Sequence, residues 1–293
     1  MEPAEQPQNL TLMFKSVKRN WRLLLALLIL SSPLTIVSHR LSVVNCATAQ
    51  THYVMIETNM GNMRVMLYDD CPRTIQNFLK KVRAGYYDGS LFGRVIPTFM
   101  IQGGAPDSKT ALPGQSIGWG DMSEEIPAEI HKNHIPKKGA LCAPHRDGVV
   151  NSDMSMFFIV EGYQMSEATL KNWEKTHNAD ARKAAQRRVM TQAVKDSLAL
   201  YKTTDVSKYN LLARQVNHDI DSIARQTPGT RFFTPEEKEA YTTIGGAYHI
   251  YGEYTCYGEV VEGLDVISKI AALESNVANR PHTDVRMKIR VIK

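Results

Sequence analysis

Two polar side chains, Arg94 and Gln102, stand in an otherwise apolar and aromatic segment that spans residues 92–104. On an extended strand these two share a parity with Met100, although Pro97 interrupts the register. A guanidinium in such a place either pairs with a carboxylate or faces a binding cleft as a hydrogen-bond donor. Residue types alone leave both interpretations open.

Three histidines and one cysteine are the other candidates for chemistry. His131-x-x-His134, with His145 downstream, offers nitrogen ligands for zinc, but no fourth ligand is placed and the pattern lies in a Pro- and Lys-rich loop. Cys142 has no adjacent cation in sequence that would lower its pKa, so an inert buried thiol is favoured over a nucleophile. We therefore predict no metal ion and no cofactor.

The composition is that of a globular protein. The chain has 293 residues, of which 43% are hydrophobic and 22% charged, and this excludes a largely disordered or collagen-like chain. The formal net charge is +5, but most of the excess lies in residues 1–50, so the remainder is nearly neutral. A nearly neutral body argues against nucleic-acid binding by phosphate neutralisation. The four cysteines are too few and too scattered for a disulfide scaffold, and we interpret those of the body as small buried apolar residues.

Residues 1–50 have the layout of an export signal. Basic residues within 15–22 precede an apolar run at 23–30, and Ala47-Thr48-Ala49 fits an A-x-A cleavage site. The apolar run is short for a membrane span, yet it lies farther from the cleavage site than is usual. A membrane anchor that stays uncleaved is therefore the second interpretation, and lipidation at Cys46 is a weaker third. All three predict an exported protein, periplasmic or otherwise extracytoplasmic.

The body combines a β-rich frame with a helical block. Two alternating segments, 54–58 and 63–68, flank a turn and predict a hairpin, and a helix with one apolar face begins at Pro72. Residues 285–291 alternate strictly, and a terminal strand that needs a partner favours a closed sheet, as in a barrel. Residues 164–240 instead show helix formers and helical apolar spacing, and we interpret them as an α-helical insertion.

The segment Phe92-Gly93-Arg94-Val95-Ile96-Pro97-Thr98-Phe99-Met100-Ile101-Gln102-Gly103-Gly104 resembles the F-x-R-x-I-P-x-F-M-x-Q-G-G pattern of the cyclophilin family of peptidyl-prolyl isomerases. Residues 155–159 and 254–260 resemble two further strands of that family. The resemblance covers 51–163 and 241–293. It implies a mainly β fold, a closed eight-stranded antiparallel β-barrel capped by two helices, with the insertion where the family usually has a short loop.

The resemblance also implies roles for individual residues. Arg94 takes the position of the family's catalytic arginine, and Gln102 that of the glutamine that steadies it. The positions that line the family's proline pocket are matched by Phe99, Met100, Phe158 and Ile250. The rest of the predicted substrate site comprises Ala143, Pro144, Met156, His249 and Tyr254.

Four of these residues depart from the family pattern. Met156 replaces a glutamine that contacts substrate, and Pro144 replaces an asparagine whose backbone contacts the peptide. His249 stands where many members have tryptophan, and Tyr254 where many have histidine, so the pocket wall keeps a ring and a polar tip.

The resemblance implies that the protein is an enzyme, a peptidyl-prolyl cis-trans isomerase that acts on proline-containing polypeptides as exported proteins fold. The alternative is a non-enzymatic chaperone or scaffold of the same shape that binds a protein partner through the insertion at 164–240. A membrane-attached assembly factor is a weaker third hypothesis, because it requires the N-terminal segment to remain uncleaved.

Overall fold

The computed structural model describes residues 52–118 and 125–293. The predictions for the leader at 1–50 lie outside the described residues. Among the helices that are described, none has the length and hydropathy needed to cross a membrane.

Eight strands form one antiparallel sheet: β1 (His52–Thr58), β2 (Gly61–Leu67), β3 (Phe92–Ile96), β4 (Met100–Gly103), β6 (Ala140–Ala143), β8 (Phe157–Val160), β9 (Thr255–Glu262) and β10 (Met287–Ile292). Their spatial order is β10-β1-β2-β9-β6-β8-β4-β3. Two short strands, β5 (Glu125–Ile126) and β7 (Ser152–Asp153), pair with each other. The predicted hairpin is formed by β1 and β2, and the predicted terminal strand pairs with β1.

The eight antiparallel strands of the prediction are confirmed, whereas its closed barrel is not. β3 and β10 end the strand order, and within the described residues the two ends are joined by an isolated bridge between Leu91 and Arg286. Backbone hydrogen bonds flank that bridge, from Phe92 N to Val285 O at 3.0 Å and from Met287 N to Ser90 O at 2.9 Å. The sheet is therefore strongly curved, and its complete closure stays a prediction.

Two helices pack their apolar faces on the sheet. In α1 (Pro72–Arg83) the spacing of three and four places Ile75, Phe78, Leu79 and Val82 on one buried face, as the sequence predicts. Pro72 begins the helix, and Gly85, with φ +64°, ends it in the left-handed conformation that glycine adopts freely. α7 (Leu264–Ala271) buries four residues against the same core.

The helical block consists of five helices: α2 (Glu167–His177), α3 (Ala179–Val189), α4 (Gln192–Thr204), α5 (Val206–Arg225) and α6 (Pro235–Thr243). They form two separate apolar clusters. One cluster, around Leu170, Phe233 and Tyr241, also contacts the frame through Ile135 and Tyr248. The other lies within α3, α4 and α5 and includes Val216 and Ile220 of the predicted apolar face.

Polar contacts connect the two clusters. The Asn178 side chain donates to Arg231 O at 2.7 Å and accepts from Arg231 N at 2.8 Å, so the chain enters and leaves the α3–α5 unit at one point. The Arg231 guanidinium pairs with the buried Glu237 carboxylate, which also closes a capping box with Thr234 at the start of α6. At the root of the block Gly162 has φ +59°, and a Cβ there would lie 2.3 Å from the backbone of Gly246. Only glycine fits this approach.

Candidate active site

Arg94 and Gln102 face each other on neighbouring strands. They are register partners on β3 and β4, and Arg94 Nη1 donates to Gln102 Oε1 at 3.2 Å. The β3 register shifts between Phe92 and Arg94, which brings Arg94 opposite Gln102. Arg94 is exposed and forms no salt bridge with any carboxylate in 52–118 or 125–293. Of the two interpretations of this guanidinium, the structure therefore supports the one in which it faces a cleft.

That cleft is a groove of about 370 Å³ beside the guanidinium. Eight predicted site residues line it together: Arg94, Phe99, Met100, Gln102, Pro144, Met156, Phe158 and Tyr254. Ala143 and Ile250, each 3% exposed, are not among the residues that line it. His249 is exposed and does not line the groove, but its ring centroid lies 4.9 Å from that of Phe99. The structure thus brings eight of the eleven predicted residues together, and their roles stay predictions.

The floor of the groove is apolar and tightly packed. Met100 and Phe158 are 2% and 3% exposed and belong to a cluster built from β4, β6, β8 and β9. The Tyr254 ring stands edge-on to Phe158 at 5.3 Å, and the Phe99 ring is tilted against Phe158 at 6.5 Å. A floor of this kind suits a small apolar ring and excludes water beneath it.

Gln102 connects the guanidinium to the far wall. Its amide oxygen accepts from Arg94, and its amide nitrogen approaches Met156 Sδ at 3.5 Å. Met156 is placed by the loop before β8, where Asp153 Oδ1 accepts from the backbone nitrogens of Ser155 at 2.6 Å and Met156 at 2.7 Å. A guanidinium can only donate and a thioether can only accept weakly, so the amide oxygen faces Arg94 and the amide nitrogen faces Met156. Gln102 therefore presents its oxygen to Arg94 and orients the guanidinium.

The polar rim of the groove contains three residues that the sequence did not suggest as parts of the substrate site. His145 stacks on Tyr254 with centroids 4.3 Å apart, while Arg146 and Asp147 line the same edge. Arg146 is paired with Glu125, unlike Arg94. Burial and the nearby Glu253 carboxylate raise the pKa of Tyr254, so its hydroxyl stays a hydrogen-bond donor at neutral pH. No sequence signal links this rim to the Arg94 segment, because it comes from a different loop.

Two features modify the predicted contacts around the groove. The Pro144 carbonyl accepts a hydrogen bond from Asp153 N at 2.7 Å and is thus engaged within the protein. A second pocket of about 150 Å³ lies across Arg94, Gln102 and Met156, next to Ile117. The guanidinium therefore stands between an apolar groove and a smaller neighbouring pocket.

Of the three histidines considered for zinc, His131 and His134 lie together, with ring centroids 5.0 Å apart, and His145 lies apart from them. His145 lies at the groove, whereas Asp70, Cys71 and His131 bring their ligand atoms within 4.8 Å of one another elsewhere, with His134 beside them. The Cys71 thiol contacts two backbone carbonyls, and burial together with the Asp70 and Glu129 carboxylates raises its pKa to about 12. The side chains that meet here, Asp70, Cys71 and His131, therefore differ from the three histidines that the sequence suggests as zinc ligands.

The sequence profile of the family described as cyclophilin type peptidyl-prolyl cis-trans isomerase/CLD matches residues 53–182 and 224–291. The chain belongs to this family. The span between the two matches, 183–223, holds most of α3, all of α4 and most of α5.

Curated relatives carry related names. This cyclophilin is 39% identical over 116 residues to a Streptococcus pyogenes protein whose name couples a phosphatase with a peptidyl-prolyl cis-trans isomerase, covering 39% of this chain and 23% of that one. It is 36% identical over 116 residues to a Staphylococcus haemolyticus protein named as a peptidyl-prolyl cis-trans isomerase, covering 39% of this chain and 55% of that one. The matches thus span about half of these relatives or less. A solved cyclophilin type isomerase of Cryptosporidium parvum aligns with a TM-score of 0.49 at 16% identity, over 83% of this chain and 98% of that one.

Proposed function

We propose that this cyclophilin is an enzyme that accelerates cis–trans isomerisation of X–Pro bonds in folding polypeptides. The proposal rests on the Arg94 guanidinium, which stands at the edge of an apolar groove, is held by Gln102 and forms no ion pair with a described residue. Family membership supports the same activity.

The reaction needs no proton, electron or nucleophile. An X–Pro bond turns slowly because its C–N bond has partial double-bond character, with a barrier of about 18–20 kcal/mol. The lone pair of the prolyl nitrogen is freed only when the bond is twisted. A guanidinium that donates to that nitrogen therefore binds the transition state more strongly than the planar substrate.

The residues of the groove would have separate roles in the reaction. Met100, Phe99 and Phe158 would hold the proline ring by apolar contact, while the chain preceding the proline rotates. Arg94 would donate to the prolyl nitrogen, and Gln102 would keep the guanidinium plane aligned. A charge-assisted hydrogen bond contributes about 1.5–3 kcal/mol, which corresponds to roughly 10- to 150-fold in rate.

A protease-coupled assay on a short peptide with an Ala–Pro bond tests the proposal. The protease cleaves only the trans form, so the rate of the slow phase reports isomerisation. We expect the slow phase to accelerate in proportion to the concentration of this protein. A slow phase that stays at the uncatalysed rate would contradict the proposal. If chemical-shift changes showed that the peptide still binds in the groove, that result would support the non-enzymatic binding function.

The second candidate function, binding of unfolded chains or partner proteins, is favoured by the α3–α5 unit. Leu200, Val206 and Leu211 are 57%, 65% and 69% exposed near the junction of α4 and α5. These side chains do not line the groove that contains Arg94. The α3–α5 unit would therefore add contacts with a protein substrate without taking part in the isomerisation.

Excision of residues 179–230 separates the two functions. Asn178 and Arg231 are already hydrogen-bonded, so a short Gly-Ser linker can join them while the cluster around Tyr241 remains. We expect the rate on the short peptide to stay within about twofold, because the groove is intact, and the catalysis of a proline-limited protein refolding reaction to fall. Equal loss on both substrates would contradict this division.

We also propose export, on the leader pattern of residues 1–50. The intact mass of the protein recovered from an extracytoplasmic fraction tests this. A mass that begins at Gln50 is expected for cleavage after Ala49, and the full-length mass in the membrane fraction for an anchor. Recovery of the full-length chain from the cytoplasm alone would contradict export.

A further inference from the structure

Two buried thiols meet beneath the groove. Cys142 on β6 and Cys256 on β9 are register partners, and their Sγ atoms lie 2.9 Å apart. Non-bonded heavy atoms in contact normally rest about 3.5–4.0 Å apart. The distance between the two sulfurs is therefore shorter than an ordinary non-bonded contact, although both cysteines are free thiols in this structure.

The strand pairing fits a cross-link. Partners on antiparallel strands have Cα atoms about 4.5–5.5 Å apart, which lies inside the range of about 4.4–6.8 Å that a disulfide spans. The β6–β9 register shifts between Leu141 and Cys142, directly beside the pair. A covalent bond there would hold the two strands where their ladder is irregular.

The surroundings isolate this pair from the solvent. Cys142 and Cys256 are 0% and 4% exposed, within the cluster that contains Met100 and Phe158. Burial raises the pKa of Cys142 well above its usual value, so its reactive thiolate is scarce once the chain is folded. The third described cysteine, Cys71, directs its sulfur at Cys256 O rather than at either sulfur of the pair.

We propose that Cys142 and Cys256 are a disulfide-forming pair that cross-links β6 to β9 under the groove, oxidised during folding by a small-molecule disulfide such as oxidised glutathione. The thiolate of one cysteine attacks a sulfur of glutathione disulfide, and one glutathione thiolate leaves. The second cysteine thiolate then attacks the mixed disulfide, forms the Sγ–Sγ bond and expels the second glutathione. Two protein thiols lose two electrons, and two glutathione thiols carry away the two protons.

The cross-link would act on the groove through its two strands. Cys142 is the register partner of Phe158, which forms the floor, and Cys256 follows Tyr254, which forms a wall, by two positions. It would also tie residues 114 positions apart, a long loop whose closure removes much conformational freedom from the unfolded chain.

The test uses the full chain, unfolded in guanidinium with a reductant and refolded in a buffer of reduced and oxidised glutathione. The product is denatured in an alkylating agent, digested and analysed by mass spectrometry. We expect most molecules to yield peptides joined through Cys142 and Cys256, with Cys71 alkylated. Quantitative alkylation of both cysteines, or a preferred link to Cys71, would overturn the proposal.

Matched variants give a second readout. Oxidised wild type should melt about 10 °C above the same protein kept in reductant, given the length of the closed loop. Cys71→Ala should keep this redox-dependent difference, whereas Cys256→Ala should lose it. An equal difference in Cys256→Ala would contradict the assignment of the bond to this pair.

Discussion

We expect Arg94→Ala to lower kcat/KM for an Ala–Pro peptide about 100-fold while the fold is unchanged. The loss of one charge-assisted hydrogen bond made only in the transition state accounts for a factor of this size. Arg94 is exposed and forms no ion pair among the described residues, so its removal leaves none of their buried carboxylates without a partner. The protease-coupled assay measures the rate, and circular dichroism checks the fold.

Two matched arginine variants separate geometry from charge. Arg94→Lys keeps the positive charge but loses the planar fork, so its kcat/KM should fall nearly as far as that of Arg94→Ala. Arg146 lines the same groove but is paired with Glu125, and Arg146→Ala should stay within about threefold of wild type. Similar losses in Arg94→Ala and Arg146→Ala would show that the groove uses positive charge in general rather than one placed donor.

The largest expected loss of stability is that of Phe157→Ala, about 3–5 kcal/mol in the free energy of unfolding. Phe157 is 0% exposed, and its ring makes edge contacts with Phe78 at 6.0 Å, Tyr87 at 5.7 Å and Phe92 at 6.0 Å. Truncation removes a large apolar side chain from the junction of β3, β8 and α1 and leaves a cavity there. Chemical denaturation followed by circular dichroism measures the loss.

Phe99→Ala is the matched control for that variant. Phe99 is partly exposed at the groove wall, so the free energy of unfolding should fall by only about 1 kcal/mol or less. Its kcat/KM should fall instead, because the wall that holds the proline ring is lost. Comparable destabilisation by the two variants would contradict the division between a core aromatic residue and a groove aromatic residue.

The parts of the fold that could be predicted are those with a local signal. The α1 face follows from apolar spacing, and the hairpin follows from alternation on both sides of a short turn. Arg94 and Gln102 come from one contiguous motif on adjacent strands, and the resemblance of that motif to the family pattern predicts that they share one site.

The remaining contacts depend on long-range packing. His145 and Asp153 reach the groove from the segment between β6 and β8, which has no periodic signal, and Arg146 is paired with a residue 21 positions away. The interpretation of the cysteines as inert apolar residues agrees with their burial. It does not predict the contact between Cys142 and Cys256, which are 114 positions apart in the sequence. Full closure of the sheet likewise depends on how far β3 and β10 curl, which strand patterns do not specify.

Exchange NMR on a proline peptide shows whether Arg94 catalyses isomerisation, because it observes the two isomers without a coupling enzyme. With a catalytic amount of the protein, cross-peaks between cis and trans signals should grow within tens of milliseconds, whereas uncatalysed exchange takes tens of seconds or longer. We expect these cross-peaks for wild type and their near absence at the same concentration of Arg94→Ala. Equal cross-peaks from both proteins, or none from wild type, would contradict this expectation.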